Sequence, residues 1–349
     1  MSRAKRFDWM YLQNFCEAVL IRSGVPSHFA ETVAQSLIHA DLRGIESHGI
    51  SRLPIYMERM EKGLVDPKKS GQIITDEGAT ILLNGQNQFG AVIGLQALEL
   101  CLERSKQTGI AMTGVRHSNH FGACSFYAQK AIEAGIILLV FTNAPETMAP
   151  IGGTQPFFGS NPLAIGIPTR TDPPFLLDMA TTVVARGKIA LAEKKGEKIP
   201  LGWAIDDQGN PTDEPSKALS GSILPVGGPK GYGIAMFIDV LTGILTGAGF
   251  GKTVYSLYDN DDYPQNIGHV FVAIHIEHFI SLDLFLDQMA DYVRQIKAVK
   301  RAEGIEEIYL PGELEHRESL ARRKQGIPVA EPIIDELTEL GKRYQVHFG

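Results

Sequence analysis

A chain of 349 residues with 44% apolar and 21% charged residues can bury a sizeable core and is long enough for about two domains. Its net charge of −7 and the lack of a long basic run argue against nucleic acid and anionic membrane as partners. The three scattered cysteines, Cys16, Cys101 and Cys124, form no CxxC or metal-binding spacing, which fits a reducing cytoplasm; the charged, aromatic N-terminus does not read as a signal peptide, and apolar runs such as 136–141 are too short to span a bilayer.

Residues 8–24 carry Leu12, Phe15, Val19 and Leu20 at helical spacing, with Gly24 as the stop. Pro26-Ser27 restarts a second helix with Phe29, Val33 and Leu37 on one face and Ser27 as N-cap. A third helix is expected from the end of that segment to about Lys62, irregular near Pro54, and closed by Gly63 and Pro67. From about residue 72 short β-branched runs alternate with helical patterns: a strand at 80–83, a helix at 90–108 ended by Gly109, a strand at 110–115, a helix reaching Ala134, and a buried strand at 136–141. This rhythm implies an α/β layer with some parallel pairing. The stretch 142–168 is dense in Gly and Pro and reads as a long loop, either functional or covered by another part of the molecule. Further strands are expected at 175–177, 203–205 and 270–276, with helices at 184–195, from Gly227-Gly228-Pro229-Lys230 to about 245, from Leu282 onward, and near 313–325 and 330–343.

The architecture expected is therefore α/β: residues 1–72 helical, 73–281 a central mixed-sheet domain, and 282–349 helices packing back on the N-terminal segment. No internal repeat is visible.

Familiar chemical signatures are missing. No GxGxxG follows a strand and opens a helix; Gly247-Ala248-Gly249-Phe250-Gly251 has the wrong spacing and ends a helix. There is no Walker A, HExxH or GxSxG sequence. What remains is a set of short features, each with a plain structural alternative.

Ser47-His48-Gly49-Ile50-Ser51-Arg52-Leu53-Pro54-Ile55-Tyr56 places an imidazole, a guanidinium and a phenol at four-residue intervals. On a helix these share one drifting face, as a small carboxylate substrate would need for proton transfer and anion binding; a solvated helix face would look the same. Gly228-Pro229-Lys230-Gly231 at a helix start offers backbone N–H groups, the helix dipole and a lysine to phosphate, or is only a turn. Leu310-Pro311-Gly312-Glu313 reads as a turn with a capping acid, Gly159-Ser160-Asn161-Pro162 as a turn able to present donors, and Asp178-Met179-Ala180 as a strand end. His117 and His120, three apart, lack an evident third metal ligand, so one of them as a loop acid or base is the better reading and no metal is expected.

Taken in order, these segments resemble the type-2 malate/L-lactate dehydrogenase family, whose members include malate, lactate, sulfolactate and ureidoglycolate dehydrogenases, diketogulonate reductase and cyclic imino acid reductase. The likeness covers nearly the whole chain. It runs through Ala40-Asp41-Leu42-Arg43-Gly44, Ser47-His48-Gly49, Arg52, Tyr56, His120-Phe121-Gly122, Gly159-Ser160-Asn161-Pro162-Leu163-Ala164, Asp178-Met179-Ala180, Gly228-Pro229-Lys230-Gly231-Tyr232, Tyr258-Asp259 and Leu310-Pro311-Gly312-Glu313. Each piece is weak alone; their order is specific.

The resemblance implies a non-Rossmann NAD(P)-binding fold, NAD favoured over NADP, with the cofactor lying between subunits of a homodimer. It implies hydride transfer between the cofactor and a small 2-hydroxy acid or 2-keto acid, of malate or lactate type, with ureidoglycolate, sulfolactate, diketogulonate or a cyclic imino acid as alternatives. His48 would carry the proton, with His120, at the position treated as proton acceptor in ureidoglycolate dehydrogenase, polarising the same oxygen or orienting the substrate. Ser47, Arg52 and Tyr56 would hold the substrate. The loop through Ala144, with Ser160, Asp178, Met179, Ala180, Lys230, Gly231, Pro311, Gly312 and Glu313, would contact the cofactor. A non-catalytic protein that keeps the cofactor fold is the rival from another class, and the intact His48, Arg52, His120 and Lys230 argue against it.

Overall fold

The computed structural model describes residues 4–259 and 262–349; residues 1–3, where the reading for a signal peptide begins, lie outside them. In chain order the first part comprises β1 (Ala4–Phe7), α1 (Trp9–Arg22), α2 (Ser27–Leu42), two short 3-10 turns (Glu46–His48 and Ile50–Arg52) and α3 (Leu53–Glu61). Then follow β2 (Gln72–Glu77), β3 (Thr80–Asn84), α4 (Gly90–Thr108), β4 (Ile110–Ser118), α5 (Ser125–Glu133), β5 (Ile136–Thr142), β6 (Leu163–Ile167) and β7 (Phe175–Met179). An excursion holds α6 (Arg186–Lys195), β8 (Ala204–Ile205), β9 (Pro211–Thr212), α7 (Pro215–Ser220) and β10 (Ser222–Ile223). The chain returns through α8 (Pro229–Asp239), a π-type turn (Val240–Ile244) and β11 (Ile267–His275), and ends with α9 (Leu282–Ala298), α10 (Glu313–Gln325), β12 (Ile327–Ala330) and α11 (Glu331–Tyr344).

The central layer is a seven-stranded sheet in the order β2-β3-β4-β11-β5-β6-β7. Of its pairings only β3–β4 is parallel. The expected strand–helix–strand unit β4-α5-β5 does run parallel, but β11 arrives from far along the chain and inserts between its two strands, antiparallel to both. Alternation along β11 fits this position. Phe271 and Ala273 point into a core with Leu98 of α4 and Tyr127 of α5, while Val270 meets Phe141, Leu163 and Ile238 of α8 on the other face. The sheet is therefore covered on both sides.

A second core joins the two ends of the chain. Leu12, Phe15, Val19, Leu37 and Leu53 pack with Leu337, Leu340 and Phe348, and with Phe89 and Val92 at the start of α4. β1 pairs antiparallel with β12 at its edge. The C-terminal helices divide: α11 belongs to this core, whereas α9 is tied to the turn after β6 by Arg170, which bonds Asp283 at 2.8 Å and Asp287 at 2.6 Å.

Three expectations need correction. The single third helix is broken at Gly49, whose extended backbone (φ −89°, ψ −152°) separates the two 3-10 turns, and α3 begins only at Leu53 with Pro54 in its first turn. His48, Arg52 and Tyr56 thus do not ride one continuous helix. The stretch read as a long loop at 142–168 contains β6, whose apolar residues are flanked by Pro162 and Pro168. β1, β2 and β12 were not anticipated.

Candidate functional site

The helix-to-turn junction after α2 is built on Asp41. Its carboxylate is 2% exposed and accepts the Ile50 N–H at 2.7 Å. A Cβ on Gly49 would lie 1.8 Å from Asp41 Oδ1, so only glycine lets the turn close over the acid. The closed turn sets out its side chains in a fixed order. Ser47 Oγ bonds His48 Nδ1 at 2.9 Å. Arg52 Nε donates to the Ser47 carbonyl at 2.5 Å, and its guanidinium lies 5.2 Å from the Tyr258 ring centroid. The terminal nitrogens of Arg52 have no hydrogen-bond partner among the described residues.

His120 comes from the loop after β4 and meets this turn. Its ring lies 5.5 Å from that of His48, at 27° between planes, and its Nδ1 is 2.6 Å from the Tyr56 hydroxyl. The backbone N–H of His120 donates to Gln265 Oε1 at 2.9 Å. The structure therefore brings Ser47, His48, Arg52, Tyr56 and His120 together. It directs the Tyr56 hydroxyl at His120 and leaves His117 out, bonded through Nδ1 to Asn84 Oδ1 at 3.1 Å.

Burial and the Arg52 charge push the His48 imidazole down to about 4. Burial, Arg52 and His48 together hold His120 well below the usual histidine range. Burial drives the Tyr56 phenol upward. At neutral pH the cluster is thus two neutral imidazoles, a protonated phenol and one fixed cation.

The second group of residues gathers where β4, β5 and β7 end, along one edge of the sheet. Ligands in open α/β sheets collect outside the carboxyl ends of strands. Here the segments are stitched by their backbones. Thr181 N–H donates to the Ser160 carbonyl at 2.8 Å, Val226 N–H to the Thr181 carbonyl at 2.9 Å, and Gly231 N–H to the Val226 carbonyl at 2.9 Å. Ala144 N–H donates to Asn161 Oδ1 at 3.1 Å, and a Cβ on Gly159 would stand 2.1 Å from the Ala144 carbonyl. Leu176 N–H donates to the Pro311 carbonyl at 3.2 Å, which sets Pro311, Gly312 and Glu313 beside β7.

Ala144, Ser160, Asp178, Met179, Ala180 and Gly231 thus lie along one strip, Pro311 to Glu313 flank the start of β7, which runs into it, and Lys230 is exposed at the N-terminus of α8. The Asp178 carboxylate accepts the Ser125 N–H at 2.8 Å; burial raises its pKa, opposed by that bond and by Arg43 at the end of α2.

Strip and cluster adjoin. Only β11 separates β5 from β4, and its buried His269 bridges Thr142 Oγ1 and Ser118 Oγ, each at 2.8 Å, two residues before His120. The strip also suits a dinucleotide rich in hydrogen-bonding oxygens. Beside the strip the Thr147 and Thr182 hydroxyls and Arg43 Nε are buried without a hydrogen-bond partner among the described residues, and α8 presents its N-terminus. Among the described residues no group of three or more His, Cys, Asp or Glu could hold a metal ion.

Sequence reasoning missed Gln265, for which no local signal existed, and the parts played by Asp41 and Asn161, which stood inside recognised motifs. It also missed Arg322, whose partners on the His48 turn, Asp41 and Glu46, lie more than 270 residues away in the chain.

Comparison with known proteins identifies the family and the fold. The profile of the malate/L-lactate dehydrogenase family matches residues 7–338. Malate dehydrogenase of Pyrococcus abyssi is 39% identical over 343 residues, covering 96% of this chain and 94% of that protein. The NAD(+) ureidoglycolate dehydrogenase of Escherichia coli K12 is 34% identical, covering 93% of each. The solved structure of sulfolactate dehydrogenase from Methanocaldococcus jannaschii superposes with a TM-score of 0.93 at 36% identity, covering 98% of both chains. The fold and site thus define a non-Rossmann α/β oxidoreductase. The chain belongs to the malate/L-lactate dehydrogenase family. It is an NAD(P)-dependent dehydrogenase of small 2-hydroxy acids.

Proposed function

We propose that the chain interconverts a malate- or lactate-type 2-hydroxy acid and its 2-keto acid, preferring NAD, with His48 as the proton-transferring residue. The observation that carries this reading is the convergence of His48, His120 and an Arg52 with open terminal nitrogens at the edge of the backbone strip.

The bound nicotinamide supplies or removes the hydride. Ala144, Ser160, Asp178, Met179, Ala180, Lys230, Gly231, Pro311, Gly312 and Glu313 would hold it, and the charge of Lys230 at a helix start would suit its phosphates. Arg52 receives the substrate carboxylate through its terminal nitrogens.

His48, held by Ser47 through Nδ1, moves the proton at Nε2. In its neutral state it accepts the hydroxyl proton of a 2-hydroxy acid. A carboxylate bound at Arg52 cancels part of the field that depresses His48. The imidazolium then forms more readily, as reduction of a keto acid requires. Tyr56, kept protonated by burial, donates to His120 Nδ1, so His120 presents Nε2–H to the substrate oxygen and orients it.

The chain acts as a homodimer in the cytoplasm. Ile234, Phe237, Val240, Ile244 and Leu245 along α8 and its π-type turn form an exposed apolar stripe, 39% to 62% accessible, which a second copy would cover. The three cysteines are free and buried, in keeping with a reducing compartment.

The test is a panel of pyruvate, oxaloacetate, sulfopyruvate and larger 2-keto acids, each with NADH and with NADPH, followed by the fall in reduced-cofactor absorbance. The highest kcat/KM is expected for oxaloacetate or pyruvate with NADH. Turnover confined to the larger acids, or to NADPH, would replace this assignment.

A further inference from the structure

The turn that carries His48 is gripped by a helix from the other end of the chain. Arg322, in the last turn of α10, is 6% exposed. Its Nη1 donates to the Asp41 carbonyl at 2.6 Å, its Nη2 pairs with the Glu46 carboxylate, and its Nε pairs with Glu318 at 2.5 Å. Asp41 is the acid on which the turn closes, and Glu46 immediately precedes Ser47. One guanidinium therefore clamps both sides of the loop that holds His48.

The opposite end of α10 is anchored beside β7, the strand that ends in the strip. Glu313, 4% exposed, bonds Lys297 at 2.6 Å, Arg317 at 2.7 Å and the Leu310 N–H at 3.0 Å. Gly312 packs so close to β7 that a Cβ there would lie 2.5 Å from the Leu176 carbonyl, two residues before Asp178. A helix of 13 residues spans about 20 Å, so α10 is a strut with one end beside β7 and the other on the His48 turn.

We propose that Arg322 is a positioning residue: through Asp41 and Glu46 it holds His48 in its half-buried place and, by way of α10, at a set distance from the strip. This rests on His48 being the proton-transferring residue. Losing the clamp frees the turn to open toward water, which removes the desolvation that depresses His48.

The experiment uses the full chain with Arg322→Met and Arg322→Lys. The His48 ring is followed by NMR titration, beside kcat and the NAD dissociation constant. In Arg322→Met the His48 pKa is expected to climb from about 4 toward about 6.5 and kcat to fall at least about tenfold, with NAD affinity within about twofold. Arg322→Lys recovers part of both effects. Should Arg322→Met fail to fold, Glu46→Gln, a change at an exposed side chain, is expected to shift the titration in the same direction by less.

An unchanged His48 titration in Arg322→Met, or in Glu46→Gln if that is the variant that folds, would overturn the proposal whatever kcat does. A shifted titration with kcat unaltered would leave the clamp standing and refute instead the assignment of proton transfer to His48.

Discussion

The two halves of the proposed site are made from different materials. The His48 turn is a compact run of chain in which side chains carry the chemistry: an imidazole bonded to its own neighbour, a guanidinium folded back on Ser47, and a phenol turned toward His120. The strip is assembled from five distant segments, and backbone N–H and carbonyl groups do most of the joining. Side-chain identity should therefore govern the first half and backbone geometry the second. A titratable group must be placed and tuned, whereas a long polar cofactor needs a continuous wall of donors and close approach.

The largest predicted effect comes from replacing Gly49. A methyl 1.8 Å from Asp41 Oδ1 cannot be accommodated without displacing the turn or the acid. Gly49→Ala should lower kcat/KM by roughly a hundredfold or more while NAD still binds. Gly159→Ala places a Cβ 2.1 Å from the Ala144 carbonyl and should do the reverse, raising the NAD dissociation constant first. Titrations of NAD by protein fluorescence, set beside kcat, separate the two; equal losses of cofactor binding in both variants would erase the distinction between the halves.

A smaller effect is expected from Tyr56→Phe. It removes the 2.6 Å bond to His120 Nδ1 and no other hydrogen bond among the described residues, so a drop of about tenfold in kcat/KM follows from one lost part-buried hydrogen bond. No change would mean that His120 needs no fixed tautomer.

Acid stability should show the smallest and most general effect. His39 and His269 are held near 3 and His48 near 4 by burial, so the unfolded chain takes up protons below about pH 6.5 while the folded chain does not. Stability is then lost as pH falls from about 6.5 toward 4. Asp41, raised to about 7 by burial, works the other way: its contribution is present at low pH and lost as pH rises through about 7. Thermal unfolding midpoints should decline from pH 6.5 to 4.5, more steeply in Asp41→Asn than in the parent chain.

The same contrast explains what could be read in advance. α4 was legible to the residue because its apolar period is long and Gly109, at φ 77°, is a stop that other residues resist. The His48 turn was visible as a residue set but not as a shape, since nothing local announces that Gly49 must be extended over a buried acid. β6 was hidden by the prolines on either side of it, and β1 and β12 exist only because the chain ends meet. The strip was recognisable through its resemblance to a family, not through spacing; its stitching depends on contacts such as Thr181 to Ser160 that no periodicity encodes. Arg322 lay beyond any local reading for the same reason.

The central claim is that His48 moves the proton and His120 orients the substrate. Its most direct test is the pair His48→Ala and His120→Ala, each measured for kcat with the favoured keto acid and for NAD affinity. His48→Ala is expected to lower kcat by about a hundredfold or more with NAD affinity retained, and His120→Ala to cost less. Near-parental turnover in His48→Ala, with activity abolished in His120→Ala, would contradict it.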